Sequence, residues 1–281
     1  MNYLRAAKNW GIVTASASFH FPISMVGGTV SRAATQWAMR GWCRTSCDGL
    51  GIRRSLINPE ILERTGQCIL VANHLSSLDI LVLGSFLKRD YRWMAKRELF
   101  KVPLSGWHLY LAGHIPVDRK ATDQSELFRR IHQVVLEGAS VLFFAEGTRS
   151  RTGQLKPFKM GAFTTAVREN LPVVPLVIQG TYDLMLPGAK DLDIRKDRSC
   201  TVTVLDPIAP QVPLPGEGRL HVETEVTQRE RARLLRRATY GRFLETLYPG
   251  RAYVAGEEDA EGRFGAEAAR SRAAAGASVP R

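Results

Sequence analysis

Acidic residues are in short supply in this chain. Against 39 Lys and Arg stand 27 Asp and Glu, a formal net charge of +12 over 281 residues. That balance directs the protein toward anionic partners: membrane lipid, nucleic acid, phosphorylated substrates or an acidic carrier protein. Cysteine is also scarce. Cys43, Cys47, Cys68 and Cys200 form no paired CxxC array, and no nearby histidine completes a zinc site. Cys68 and Cys200 lie in apolar, strand-like runs and read as buried thiols in a reducing compartment. No stretch offers the roughly 20 mostly apolar residues that a membrane-spanning helix needs. Asn9 to Ser31 comes nearest, uncharged apart from His20, but it is rich in Gly, Ser and Thr and contains Pro22. No Gly-x-Ser-x-Gly elbow supports a serine hydrolase. No zinc finger, RNP block or helix-turn-helix pattern supports nucleic-acid binding. There is no internal repeat.

What is present is an ordinary globular apolar content of 44%, enough for one large α/β domain or two small ones. Residues 1–50 read as an N-terminal helical segment punctuated by Gly27-Gly28. Trp10, Phe19, Phe21, Trp37 and Trp42 stand in it among Arg5, Lys8, Arg32, Arg40 and Arg44. Basic and aromatic residues mixed in this way suit a segment lying in a membrane interface; packing against the domain is the competing reading. Residues 51–215 form the expected α/β domain. Its apolar runs predict strands at 67–72, 91–95, 112–117, 140–145, 173–179 and 200–205. Helices are expected at 78–88, 104–110, 123–137 and 160–170. Asp123 is placed to cap the third helix and Gly138 to end it. Prolines 207, 210, 213 and 215 then interrupt regular structure. A basic helix is expected within 216–248, from about Val226 to Leu247, with Leu234, Leu235, Ala238, Phe243 and Leu247 at partial helical spacing. Residues 249–281, rich in Ala, Gly, Glu and Arg, read as a disordered tail.

Four short segments carry chemistry. In Asn73-His74-Leu75-Ser76-Ser77-Leu78-Asp79, a histidine at the mouth of a strand-to-helix turn is followed five positions later by an acid. The acid can hold the ring's Nδ1–H and leave Nε2 free to take a proton. The same residues also fit a capping box, Ser76-x-x-Asp79, in which the acid only closes the helix N-terminus. Gly113-His114-Ile115-Pro116-Val117-Asp118-Arg119 puts a guanidinium at a strand end, or a surface ion pair there. Phe143-Phe144-Ala145-Glu146-Gly147-Thr148-Arg149-Ser150 delivers an acid, a permissive glycine, a hydroxyl and a rigid guanidinium fork into a loop. Arg151, Lys156 and Lys159 follow. Val173-Val174-Pro175-Leu176-Val177-Ile178 is a buried strand with a proline near its start.

In order and spacing these segments resemble the four blocks of the glycerolipid acyltransferase family, in particular its bacterial 1-acylglycerol-3-phosphate acyltransferases. The family pattern is Asn-His-x4-Asp, Gly-x-Ile-x-x-x-Arg, Phe-Pro-Glu-Gly-Thr-Arg-Ser and Val-x-Pro. Here the blocks stand as NHLSSLD, GHIPVDR, FAEGTRS and VVPLVI, spanning roughly residues 65–180. Ala145 replaces the family's proline, which is expected to keep the strand but loosen the turn before Glu146.

The resemblance implies a single mixed-sheet α/β domain of the glycerol-3-phosphate acyltransferase type, with an N-terminal helical membrane-binding segment. It implies acyl transfer from a thioester, acyl-CoA or acyl carrier protein, to the hydroxyl of a lysophospholipid. The favoured acceptor is 1-acylglycerol 3-phosphate, giving phosphatidic acid; lyso-ornithine lipid and other lysophospholipids are alternatives. His74 would be the general base and Asp79 its orienting partner, with backbone N–H groups after His74 available to an oxyanion. Arg119, Glu146, Gly147, Thr148 and Arg149 would bind the acceptor. Glu146, which repels phosphate directly, would orient Arg149, Arg119 or an acceptor hydroxyl. Lys96 would be a further phosphate contact, and Val174 and Pro175 would shape the site. No metal, cofactor or nucleic acid is implied. The expected location is the cytoplasmic face of the inner membrane, peripheral or monotopic, against anionic lipid. A non-catalytic lipid-binding protein on the same fold is the rival; it predicts a broken His-Asp pair, and the pair is intact.

Overall fold

A computed structural model describes residues 3–28, 31–102, 105–118, 123–185, 192–195, 197–211 and 224–251. The helices, in chain order, are α1 (Tyr3–Gly28), α2 (Arg32–Gly49), α3 (Pro59–Arg64), α4 (Asp79–Phe86), α5 (Ser105–Leu111), α6 (Ser125–Leu136), α7 (Gly161–Arg168), α8 (Thr181–Leu184) and α9 (Glu225–Leu247). The strands are β1 (Arg53–Ile57), β2 (Ile69–Ala72), β3 (Tyr91–Lys96), β4 (Ile115–Val117), β5 (Ser140–Phe144), β6 (Val173–Gln179) and β7 (Ser199–Val204). A 3-10 turn spans Arg97–Lys101.

The seven strands form one mixed sheet in the order β1-β7-β6-β2-β5-β3-β4. Strands β6, β2, β5, β3 and β4 run parallel; β7 is antiparallel to β6, and β1 is parallel to β7. A parallel sheet covered on both faces requires strands that are apolar on both sides, and the central strands comply. In β2, Leu70 and Ala72 enter one core while Ile69 and Val71 enter the other. In β6, Val174, Leu176 and Ile178 face the first core, and Val173 and Val177 face the second. The first core is closed by α2, α4 and α8, the second by α6, α7 and α9.

All the expected strands and helices are present, with ends shifted by a few residues. Helix α6 begins where Asp123 accepts the N–H of Ser125 at 2.8 Å. It ends at Gly138, whose φ of +83° permits a Schellman closure: Ala139 N–H to Val134 O, and Gly138 N–H to Val135 O. The apolar face of α9 differs from the expected one. Ala232, Leu235, Thr239, Tyr240, Phe243 and Leu244 are buried at helical spacing, whereas Ala238 is exposed. A threonine and a tyrosine thus complete a stripe that hydrophobicity alone misplaces. The helix packs on α7 and β6 and belongs to the second core. The tail expected beyond residue 249 lies outside the described residues from 252 onward.

At the N-terminus, α1 and α2 pack on each other, and α1 also packs on α5. Trp10, Phe19 and Trp37 are exposed, as are Trp107 and Tyr110 on α5. Phe21 and Trp42 are not part of that surface. Phe21 packs on Trp107, and Trp42 lies against the first core with its indole N–H bonded to Val13 O. All four cysteines are buried free thiols, and burial pushes Cys47 and Cys200 up to about 12. Among the described residues, no helix is long and apolar enough to cross a membrane.

Candidate active site

Parallel strands deliver their C-terminal loops to one edge of the sheet, where open α/β folds place ligands. His74 leaves β2 there, Glu146 leaves β5 and Thr181 follows β6. Neighbouring strand ends are locked together by Asn73, fully buried, whose side chain exchanges two hydrogen bonds with the backbone of Ile178: Nδ2 to O at 2.9 Å, and N to Oδ1 at 2.8 Å. Pinning β2 to β6 in this way fixes where the next residue, His74, emerges.

His74 Nδ1 lies 2.8 Å from Asp79 Oδ2. The same oxygen accepts the backbone N–H of Leu75 at 2.7 Å and of Ser76 at 2.9 Å. The other oxygen accepts the Thr181 hydroxyl at 2.6 Å. Asp79 is fully buried and every donor points at it, so the carboxylate is the acceptor and Nδ1 carries the proton. Nε2 makes no hydrogen bond among the described residues, and the imidazole side chain keeps 12% of its surface exposed. The ring stacks on Phe144, centroids 4.1 Å apart and planes 23° from parallel. His74 is therefore held from one side by an acid and from a face by an aromatic ring, with one basic nitrogen open.

The two sequence readings of Asp79 are reconciled by these bonds. Half of a capping box exists, because Asp79 accepts the Ser76 N–H. The Ser76 hydroxyl donates to Met185 O at 3.4 Å and accepts the Leu78 N–H at 3.4 Å, so it does not take the Asp79 N–H that would complete the box. Leu75 and Ser76 N–H, expected to be available to an oxyanion, are committed to Asp79. In this turn the N–H of Ser77 has no partner among the described residues.

Glu146 does not orient Arg149. Its carboxyl is 2% exposed and accepts the backbone N–H of His74 at 2.8 Å and of Lys156 at 3.3 Å. Burial pushes it up to about 8, against the opposing pull of the His74 N–H and nearby Lys156. Arg149 instead donates from Nη1 to the Ser77 hydroxyl, which brings the third block's guanidinium to the rim of the His74 turn. Gly147 takes φ +72°, a conformation that favours glycine, and its N–H closes the turn onto Phe144 O at 2.9 Å. Thr148 and Arg149 are exposed, and Lys156 Nζ reaches the Thr148 hydroxyl at 2.6 Å. Ala145 does not loosen this turn. Its N–H, which proline would lack, bonds Ala72 O at 3.0 Å and adds a rung between β5 and β2, while its carbonyl accepts the Lys159 N–H at 2.7 Å.

The other expected site residues are less closely gathered. Lys96 ends β3, two strands from β2 at the same edge, and pairs with Glu98 at 3.5 Å. Arg119 follows β4 but lies outside the described residues. Val174 is a core residue within β6, and Pro175 lies opposite Val71, below the edge. His114 is also a core residue: its Nδ1 accepts the Trp93 N–H at 3.2 Å, its Nε2 faces Met39 Sδ, and burial pushes it well below the usual histidine range. Thr181 and Phe144 are the contacts that sequence reasoning did not assign. Among the described residues, no group of His, Cys, Asp and Glu side chains could hold a metal ion.

Residues 53–179 match the family model described as acyltransferase. The chain is 41% identical over 126 residues to 1-acyl-sn-glycerol-3-phosphate acyltransferase BAT2, chloroplastic, of Brassica napus, covering 44% of this chain and 36% of that one. It is 31% identical over 182 residues to the human 1-acyl-sn-glycerol-3-phosphate acyltransferase beta, covering 62% and 66%. The chain spans about a third to three-fifths of the length of the first curated relatives it matches. In fold it is similar to the crystal structure of the 1-acyl-sn-glycerophosphate (LPA) acyltransferase PlsC from Thermotoga maritima. The TM-score is 0.65, at 21% identity over 90% of this chain and 98% of that one.

Proposed function

The chain belongs to the glycerolipid acyltransferase family, and from that premise we propose that it transfers a fatty acyl group from an acyl thioester to the free hydroxyl of a lysophospholipid. The preferred acceptor is 1-acylglycerol 3-phosphate, with phosphatidic acid as product. The observation that carries this reading is the His74–Asp79 pair at 2.8 Å, with Nε2 open at the sheet edge and Arg149 tied to the same turn.

The chemistry follows from the geometry. Nε2 takes the proton of the acceptor hydroxyl as its oxygen attacks the thioester carbonyl, and Asp79 stabilises the imidazolium that forms. The tetrahedral intermediate collapses, the C–S bond breaks, and the imidazolium returns its proton to the departing thiolate. The protein itself forms no covalent bond to the acyl group. Arg149 suits the acceptor phosphate because a guanidinium fork meets phosphate in a bidentate way. Thr148 and Lys156 extend that polar rim; the second family block assigns Arg119 to it, and the family resemblance assigns Lys96, which lies between the first and second blocks. The donor is acyl-CoA or acyl carrier protein, both anionic partners for a chain of net charge +12.

The acceptor is an amphiphile, and the exposed aromatics of α1, α2 and α5 support its capture at a bilayer. Trp10, Phe19, Trp37, Trp107 and Tyr110 present aromatic rings, all but Phe19 amphipathic, to solvent on three packed helices, the composition of an interfacial anchor. The enzyme would then work peripherally on a surface of anionic lipid, at the cytoplasmic face of the inner membrane.

The test is to supply purified protein with a panel of lysolipids and both thioester types and to identify products by mass spectrometry. Phosphatidic acid is expected from the wild type, with no product above background from His74→Ala. Equal product from His74→Ala sinks the base assignment, and no acylated lipid from any pairing sinks the acyltransferase reading.

A further inference from the structure

We propose that Thr181 is a positioning residue for acyl transfer, holding the Asp79 carboxylate in the orientation that fixes the tautomer of His74. This rests on the acyl-transfer reading above and adds to it a residue outside the four sequence blocks.

The observation is an asymmetry in how Asp79 is satisfied. Oδ2 collects His74 Nδ1–H and the N–H groups of Leu75 and Ser76, all from its own turn. Oδ1 receives a single donor, the Thr181 hydroxyl at 2.6 Å, from a different strand end. Both residues are fully buried, so water has no route to replace that hydroxyl. Without it, a buried carboxylate oxygen would have no donor, a condition folded proteins avoid. The carboxyl could answer by rotating about its Cα–Cβ and Cβ–Cγ bonds or by taking up a proton. Either response weakens its claim on the Nδ1–H. The proton could then reside on Nε2, and a ring protonated there cannot act as the base.

The backbone around Thr181 is built to deliver this hydroxyl. Gly180 precedes it at φ +86°, and a Cβ on Gly180 would stand 2.3 Å from Ser199 O. The turn is therefore fixed against the start of β7. Two residues before Gly180, Ile178 is bound to Asn73, so β6 is also fixed against the strand that carries His74. Two independent ties thus hold β6 to the β2–α4 turn. One is made by backbone and amide below the site, and the other by hydroxyl and carboxylate within it.

Three variants separate positioning from mere packing. Thr181→Val keeps the shape and removes the donor, Thr181→Ser keeps the donor, and Thr181→Ala removes the donor without the valine's second methyl should the valine variant not fold. Each is checked for folding by circular dichroism. Thr181→Val, or the alanine variant in its place, is expected to lower kcat by about 10- to 100-fold with KM for acceptor and donor within about twofold, because the hydrogen bond of the Thr181 side chain goes to Asp79. Thr181→Ser is expected within about threefold of wild type. Nitrogen-15 spectra of histidine-labelled protein, with His74 assigned by its loss in His74→Ala, should show the Nδ1–H tautomer in wild type and Thr181→Ser and a mixture in Thr181→Val. Wild-type kcat together with an unchanged His74 tautomer in the donor-deleted variant overturns the proposal while leaving the acyl-transfer reading intact. An inactive wild type removes the acyl-transfer reading, and the spectra still decide whether Thr181 sets the tautomer.

Discussion

The carboxyl of Glu146 holds the backbone N–H of His74 at 2.8 Å, so the acid of the third block supports the base of the first through the main chain. Its second oxygen reaches the Lys156 N–H, and three segments converge on one buried group: the end of β2, the end of β5 and the loop before α7. This places Glu146 in the architecture of the site.

A pH dependence follows from its burial. The folded protein pushes Glu146 up to about 8 from an ordinary value of 4.5. In that interval the folded state binds more protons than the unfolded state, so the group's contribution is full below the unfolded value and is lost as pH rises through about 8. Glu146→Gln removes the titration and also points an amide donor at one of the two N–H groups. Thermal unfolding of both proteins from about pH 5 to about pH 9 should show the wild-type advantage shrinking as pH rises. A gap that stays constant or widens across that range contradicts the assignment.

The left-handed turn at Gly180 predicts a stability effect. Alanine there meets both an unfavourable φ of +86° and the Ser199 carbonyl 2.3 Å from its Cβ. Backbone strain of this type costs about 1–3 kcal/mol, and the clash adds to it. Gly180→Ala should unfold at lower denaturant concentration by at least that free energy, measured by equilibrium urea titration. Unchanged stability would mean that β7 yields at this point.

The central sheet and its order of blocks were legible because buried parallel strands are continuous apolar runs, as in Ile69–Ala72 and Val173–Gln179. Strand β1 was not legible, since Arg53-Arg54-Ser55-Leu56-Ile57 is an edge strand with three of its five positions exposed and no apolar run to mark it. Helix α3 was missed for its length of six residues, although Pro59 at its first turn is a start signal. Within the site, the five-residue spacing of His74 and Asp79 is local and could be read directly. Thr181 lies 102 positions from Asp79, and Arg149 lies 72 from Ser77. Pairings of that kind come from sheet order, which no local pattern encodes. That Glu146 accepts two backbone amides was equally out of reach, because charge chemistry alone does not reveal main-chain partners 72 and 10 positions away.

Membrane attachment through the helical face makes a separable prediction. Trp37 on α2 and Trp107 on α5 are 52% and 55% exposed. Seating a large apolar side chain out of water is worth about 1.5–3 kcal/mol, so each Trp→Ser change should lower vesicle partitioning about tenfold or more. Flotation with anionic liposomes measures this directly, and the effect should persist at high salt, where purely electrostatic adhesion is screened. Tight binding retained by the double variant Trp37→Ser/Trp107→Ser would move the attachment elsewhere.

Arg149 supplies the sharpest test of acceptor choice. It is exposed, yet its Nη1 is tethered to Ser77 in the turn that carries His74, so the guanidinium is held at the rim of that turn, with no acid among its hydrogen-bond partners in the described residues. If it grips the acceptor phosphate, its value lies in the planar fork as well as the charge. Arg149→Lys keeps the charge and loses the fork, and a charge-assisted bond of about 1.5–3 kcal/mol corresponds to roughly 10- to 100-fold in affinity. KM for 1-acylglycerol 3-phosphate should rise by about that factor, while 1-monoacylglycerol, which has the hydroxyls and no phosphate, should be used equally by both proteins. The wild-type preference for the phosphorylated acceptor would then fall in the variant through loss on one substrate alone. A parallel loss on both acceptors would instead make Arg149 a support for the Ser77 turn, and the phosphate contact would have to come from another cation of the rim.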